Sequence, residues 1–415
     1  MGPAAISRCE RVLRQTREAE DIVRRSPIFR TGPSLTRRRF GAGLAVGAGA
    51  FLAPSILRGA EPDAIRVGQT EALTGPSSAY GIRAANGAKL AVEQINATGV
   101  QIGGATYKFD FSFNDMANDT RQAVTLLRQY ASQSDIICGI GPTNSVGFVG
   151  MVPVAEQLSF PLIGDGSGVP LKEWNSWVVR VNPVNATGTP VLLKKIVAKE
   201  KIKRLGVIFD QTQDSQRSDA EICKSSAGLI GYEVVSYEAF RTGDQDFSPQ
   251  IASLRANKPD AIFVAAAMGD GVKVVTQIRE AGFDKSLISG VSSFTDPLYW
   301  DSTKGGVKDG FCWLAADLQA PSPSLKKFLD DYKARYDQQA TAYCAYGADA
   351  VFTLAAALQK AGKVDRMALR DVVTKIDHTT PLGTHVKFNN PPNGENLDPT
   401  IVTVQATGRG VYQSI

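Results

Sequence analysis

Ile136-Ile137-Cys138-Gly139-Ile140-Gly141-Pro142-Thr143-Asn144-Ser145 decides the fold. Its first five residues form an apolar run too short for a helix and dense enough for a strand buried on both faces. Gly141-Pro142 breaks that run, and a helical pattern starts near Ser145 and continues to Leu158. Buried strand, turn, helix is the repeating unit of a parallel α/β sheet. Working outward, the unit recurs. Ile65–Leu73 reads as a strand closed by Thr74-Gly75-Pro76-Ser77, and Ala84, Ala88, Ala91 and Ile95 then recur at helical spacing. Tyr107, Phe109, Phe111 and Phe113 alternate with polar residues, as a half-buried strand does. Asn118 and Asp119 are candidate caps for a helix with Ala123, Leu126, Leu127 and Tyr130 inward. Phe160–Ile163 is a strand ending in Gly164-Asp165-Gly166-Ser167-Gly168.

After Trp177–Val181, Asn182-Pro183 opens a second series of the same kind. Strands are predicted at Leu205–Phe209, Glu233–Phe240, Ala261–Ala267 and Leu287–Ser289, with helices between them. Beyond Asp317, helical patterns at Leu325–Tyr336, Ala345–Gln359 and Met367–Lys375 precede a polar Pro/Gly/Asn stretch, Asn389–Pro399, and a last strand, Ile401–Val404. Two such series within 415 residues predict two α/β lobes, each a mostly parallel sheet flanked by helices.

The formal net charge is +5, but it is unevenly placed. Residues 1–60 carry eleven Arg, no Lys and four acids, which leaves 35 basic and 37 acidic residues for the rest. The body therefore gives no reason to expect a nucleic-acid partner. Within the leader, Thr36-Arg37-Arg38-Arg39-Phe40 fits the twin-arginine export pattern, and the apolar run Gly41–Ala53 behind it is too short to span a bilayer. This predicts an extracytoplasmic protein, with the signal proper at 33–60. Cys9 belongs to the leader. Cys138, Cys223, Cys312 and Cys344 match no metal or redox spacing and read as buried thiols, although an oxidising compartment permits one bridge.

Ligands of open α/β sheets bind beyond the carboxyl ends of strands. Leu73–Gly81, Gly139–Ser145 and Gly164–Gly168 stand there in the first series. Ser145 offers a hydroxyl at a helix start, where it either holds a carboxylate or serves as a plain N-cap. Gly166–Gly168 permits close backbone approach or is simply a tight turn, and Tyr80 is a stacking lid or a surface aromatic. In the second series Asp210 and Asp214 are candidate acceptors for an ammonium, against the alternative of a solvated loop. Catalytic patterns are missing: Gly139-Ile140-Gly141 lacks the third glycine of a dinucleotide site, Ser167 is one place late for a nucleophile elbow, and His378 and His385 fall in the polar C-terminal region. No cofactor or metal is expected.

Taken in order, Leu73-Thr74-Gly75-Pro76, Tyr80-Gly81, Asn114-Asp115, Gly141-Pro142-x-x-Ser145 and Pro161-Leu162-Ile163 with its Gly/Ser turn resemble the type I periplasmic solute-binding proteins of ABC importers. The likeness is to their branched-chain amino acid group and covers Ile65–Ile415. It implies a two-lobed α/β fold with three hinge crossovers, lobe one at 64–183 plus 317–388 and lobe two at 184–316 plus 389–415. It also implies a monomer that delivers a small ligand to permease and ATPase subunits. Ser145 matches the serine that binds the ligand carboxylate, Gly166, Ser167 and Gly168 match the segment that supports it, and Tyr80 matches a cleft aromatic. In lobe two the family's ammonium-binding acid falls near Val291–Ser293, where no acid stands. Asp296 is the nearest in sequence, and Asp214 is the best-placed replacement. The polar run Gln211–Asp219 tilts the expectation toward a ligand without an ammonium, such as an amide, urea or an aromatic acid. A sensory receptor of the same fold and an exported α/β enzyme are the alternatives.

Overall fold

The computed structural model describes residues 63–415 apart from residue 172; the leader, its export motif and Cys9 lie outside the described residues. The first series gives β1 (Asp63–Glu71), α1 (Ser78–Thr98), β2 (Val100–Ile102), β3 (Ala105–Asp115), α2 (Thr120–Ser132), β4 (Ile136–Ile140), α3 (Ser145–Gln157), β5 (Leu162–Gly164) and β6 (Val178–Arg180). They build a six-stranded sheet in the order β2-β3-β1-β4-β5-β6, parallel except at β2. The second series gives α4 (Asn185–Glu200), β7 (Arg204–Asp210), α5 (Asp214–Ile230), β8 (Glu233–Phe240), α6 (Ser248–Asn257), β9 (Ala261–Ala265), α7 (Met268–Glu280) and β10 (Ser286–Val291). A 3₁₀ turn (Ser293–Thr295), α8 (Pro297–Ser302) and β11 (Phe311–Leu314) complete it. Then follow α9 (Pro323–Tyr336), α10 (Ala342–Ala361), α11 (Arg366–Val373), the hairpin β12 (Asp377–Thr379) and β13 (His385–Lys387), β14 (Val402–Gly408) and β15 (Val411–Ser414). The second sheet runs β15-β14-β11-β10-β9-β7-β8, with β14 and β15 antiparallel at one edge.

Helices cover both faces of each sheet, which is why the central strands are continuous apolar runs. On the first sheet, Leu126, Phe148 and Met151 pack on one face and Leu354, Leu358 and Phe328 on the other. α9, α10 and α11 thus follow the second series in sequence but pack on the first sheet. The chain passes between the sheets three times: from β6 to α4, from β11 to α9 and from β13 to β14. On the last passage Asn390 Nδ2 donates to the carbonyls of Asn175 and Val178, and Asn396 Nδ2 to that of Val181, so this stretch runs beside β6.

Strand order reverses beside β1 in the first sheet and beside β7 in the second, as topological switch points require. Each switch opens a crevice at the carboxyl ends of its strands. β9 ends at Ala265, and the expected strand residues Ala266 and Ala267 instead turn into the loop at that crevice. Cys138, Cys223, Cys312 and Cys344 are all buried and free. Among the described residues no helix is long and apolar enough to cross a membrane, and no cluster of three or more His, Cys, Asp or Glu could hold a metal.

Candidate functional site

The two crevices meet in one cleft. Tyr80, Ser145, Gly166, Ser167 and Gly168 all line it, and Asp214 does not. Asn144, not Ser145, caps α3: its side chain accepts from the Gly147 N–H at 3.2 Å. The Ser145 hydroxyl is thereby spared capping and stands in the first turn, facing the cleft. Gly166 is glycine because its loop crosses the Thr143 backbone; a Cβ there would lie 2.2 Å from Thr143 Cα. This close crossing lets Ser167 N–H reach the Thr143 carbonyl and Ser167 Oγ donate to Ser145 Oγ at 3.2 Å. Tyr80 is buried, stacks on Tyr343 at 4.5 Å between ring centroids, and its hydroxyl lies 3.3 Å from Ser293 Oγ in the second series.

The opposite wall holds an acid that linear spacing does not reveal. Asp219 lines the cleft, is 6% exposed and presses its Oδ2 against Gly290, where a Cβ would sit 2.2 Å away. Trp313 Nε1 donates to Thr189 Oγ1 at 3.2 Å, and Thr189 Oγ1 donates to Asp219 Oδ1 at 2.6 Å. An indole can only donate, so Thr189 must turn its own proton toward the carboxyl. Burial pushes the Asp219 pKa up to about 7, with the Thr189 bond opposing the rise. Among the described residues no Lys or Arg lines the cleft. Beside Gly168, Asn185 Oδ1 is buried without a hydrogen-bond partner and offers a second acceptor.

Asp214 instead pairs with Arg217, three residues on in the same helix, and is partly exposed. Asp210 is buried, yet its oxygens accept from Thr212 and Thr242 and so shape the loop after β7. Asp296 is paired with Arg83 at 2.8 Å and does not line the cleft. Neither His378 nor His385 lines it: both sit in the β12–β13 hairpin, His385 between Asp377 and Asp398.

Two buried polar groups support the first wall from behind. Gln69 Nε2 bridges Glu71 Oε1 and Asp165 Oδ2, each at 3.3 Å, and Thr143 N–H donates to Glu71 Oε2 at 3.0 Å. Burial raises both carboxyls, Asp165 to about 6 and Glu71 well above its usual range, where the neighbouring Asp165 adds to the rise. Arg180 is 0% exposed, lies between the Phe148 and Trp174 rings and pairs with Glu395. Burial pulls its pKa down and Glu395 opposes the fall; a guanidinium starts so high that it stays charged.

A family described as periplasmic binding protein matches residues 64–409 of this sequence. The chain belongs to that family. A relative in Pseudomonas aeruginosa, the leucine-, isoleucine-, valine-, threonine- and alanine-binding protein, is 22% identical over 349 residues, 82% of this chain and 89% of its own. The leucine-binding protein LivK of Thermotoga maritima superposes with a TM-score of 0.76 at 21% identity, over 85% of this chain and 97% of its own. LivJ of Streptococcus pneumoniae, solved with isoleucine, gives 0.74 at 22%, over 85% and 99%. The two-lobed α/β architecture of the family is thus the architecture of this chain.

Proposed function

We propose that this protein is an exported receptor that closes on an apolar α-amino acid and passes it, as a monomer and without chemical change, to the permease and ATPase subunits of an ABC importer. The observation that carries the reading is the polarity of the cleft. The Ser145 hydroxyl, backed by Ser167, stands on one wall, and Asp219 stands on the other, with no Lys or Arg among the described residues that line the cleft. A zwitterion answers both, because a buried ammonium needs a counter-charge and a buried carboxylate needs donors. Tyr80, Tyr343, Tyr346 and Trp313 supply aromatic walls for an aliphatic side chain. Leucine, isoleucine, valine and alanine in the relatives' names fall in this class, and threonine is a small α-amino acid beside them. Asp219 takes the place of the acid that the sequence leaves out near Val291–Ser293, and it favours an ammonium-bearing ligand over an amide or aromatic acid.

Closure in this reading turns on the three passages between lobes, lobe one being about 64–183 plus 317–388 and lobe two the remainder. Thermal-shift and calorimetric titration of the mature protein with leucine, isoleucine, valine, alanine and threonine, each against its deaminated acid and its amide, tests the ligand class. Micromolar or tighter binding of at least one amino acid, lost when the ammonium is removed, is expected. Preference for an amide or an ammonium-free acid overturns the reading. For export, Arg37→Lys with Arg38→Lys should leave precursor in the cytoplasm if Thr36–Phe40 is a working twin-arginine signal.

A further inference from the structure

We infer that Arg180, remote from the cleft surface, fixes Ser145 as a hydrogen-bond donor and so makes the first wall specific for an anionic group on the ligand. The inference rests on the reading of this cleft as the ligand site and assigns its anion-selecting residue. A guanidinium has five N–H donors and no acceptor. Four are placed: Nε and Nη2 donate to the two Glu395 carboxylate oxygens, and Nη1 donates to Ser167 O at 2.6 Å and to Ser167 Oγ at 3.0 Å. The Ser167 hydroxyl therefore accepts from Arg180, and its own proton is directed at Ser145 Oγ, 3.2 Å away. Ser145 in turn accepts, which leaves its proton for the cleft. Bonds in such a chain polarise one another, most strongly when the first donor carries a charge.

The chain starts at the third passage between lobes. Glu395 lies beside β6 through a bridge to Arg180, next to Gly394, which packs against Trp174 and the Val178 carbonyl. Glu395 takes the Nε and Nη2 donors of Arg180, and the buried Nη1 finds its acceptors at Ser167, whose hydroxyl leads on to the cleft-lining Ser145. A carboxylate accepts from Ser145, whereas the NH₂ face of a carboxamide meets donor against donor. Arg180 is thus a positioning residue, acting through Ser167.

Neutron diffraction from perdeuterated crystals of the ligand-free mature protein tests the proton order directly, whatever the ligand is. The expected map shows the Ser167 deuteron on the line to Ser145 Oγ and the Ser145 deuteron turned into the cleft. A Ser145 deuteron directed at Ser167 overturns the inference. Calorimetry with L-leucine and L-leucinamide adds the selectivity. The parent should prefer leucine by about a hundredfold or more, and Arg180→Met or Ser167→Ala should cut that ratio about tenfold or more. Arg180→Lys, which keeps a charged donor, should restore some of it. Equal weakening of both probes would make Arg180 a packing residue only and overturn the inference. If the parent binds neither probe, the amino-acid reading fails, and the neutron map still decides the relay.

Discussion

At the scale of single residues, Asp219 carries the sharpest consequence. In the proposed reading a ligand ammonium binds the ionised Asp219 carboxyl, whose pKa burial pushes up to about 7. Below that pH a proton must leave before the cation is received, so affinity should fall by up to about tenfold per pH unit from pH 7 to pH 5 and be level just above 7. Calorimetry of leucine across this range checks it, and Asp219→Asn should flatten the profile while weakening leucine by roughly a hundredfold or more. Binding of 4-methylpentanoate, which lacks the ammonium, should change far less. Ser145→Ala should cost about 1.5–3 kcal/mol, roughly ten- to a hundredfold in affinity. Ser145, Tyr80 and the Gly166–Gly168 turn were legible in the sequence because each stands just past a strand end, where local spacing says enough. Asp219 was not. It lies five residues beyond Asp214 on α5, about 140° around the helix, and it reaches the cleft only because Thr189 of α4 and Gly290 of β10 meet it there. No linear pattern records a meeting of three elements. Arg180 was hidden in the same way, inside an apolar strand and partnered by a residue far along the chain.

At the scale of elements, the strand–helix alternation was readable because each central strand is an apolar run bounded by turn residues. The β12–β13 hairpin and β15 were not, since they are short, polar and held by tertiary contacts such as His378 Nε2 to Thr353 Oγ1 at 3.2 Å. The return of α10 to the first sheet was likewise invisible in composition alone. That return depends on small residues: a Cβ at Gly347 would lie 2.1 Å from the Ala84 carbonyl oxygen of α1. Glycine to alanine in an exposed helix interior stabilises by about 1 kcal/mol. Here the clash must push α1 and α10 apart, so Gly347→Ala should destabilise by about 1–3 kcal/mol in urea unfolding. A stabilised variant would show that these helices have room to spare.

At the scale of the whole molecule, buried acids set the response to pH and to closure. Glu71, Asp165, Asp219 and Asp349 all have raised pKa values in the fold, each chiefly through burial. Asp349 is pushed to about 7 although Thr380 and Thr384 donate to it. A raised folded-state value means the stabilisation is complete below the unfolded value near 4 and is lost as pH climbs through about 6–7. Urea midpoints of the ligand-free protein should therefore fall from pH 5 to pH 8, and Asp349→Asn should lessen the fall. One further acid spans the lobes. Asp296, after β10, accepts from Arg83 of α1 and from the Leu298 N–H at its Oδ1, each at 2.8 Å; both side chains of the pair are buried, and Asp296 Oδ2 accepts no hydrogen bond. If the protein opens and closes as proposed, Arg83→Ala would leave that carboxylate buried without its counter-charge in the closed form, with only the Leu298 N–H as donor, at a cost of up to about 3–5 kcal/mol, whereas opening returns it to water. The variant should therefore scatter X-rays as a more extended particle than the parent without ligand. It should also bind amino acids more weakly, since some of the binding free energy then goes into closure. Replacing both partners by leucine removes the uncompensated charge and should bring the compact form back. If Arg83→Ala scatters like the parent, the pair does not hold the lobes together.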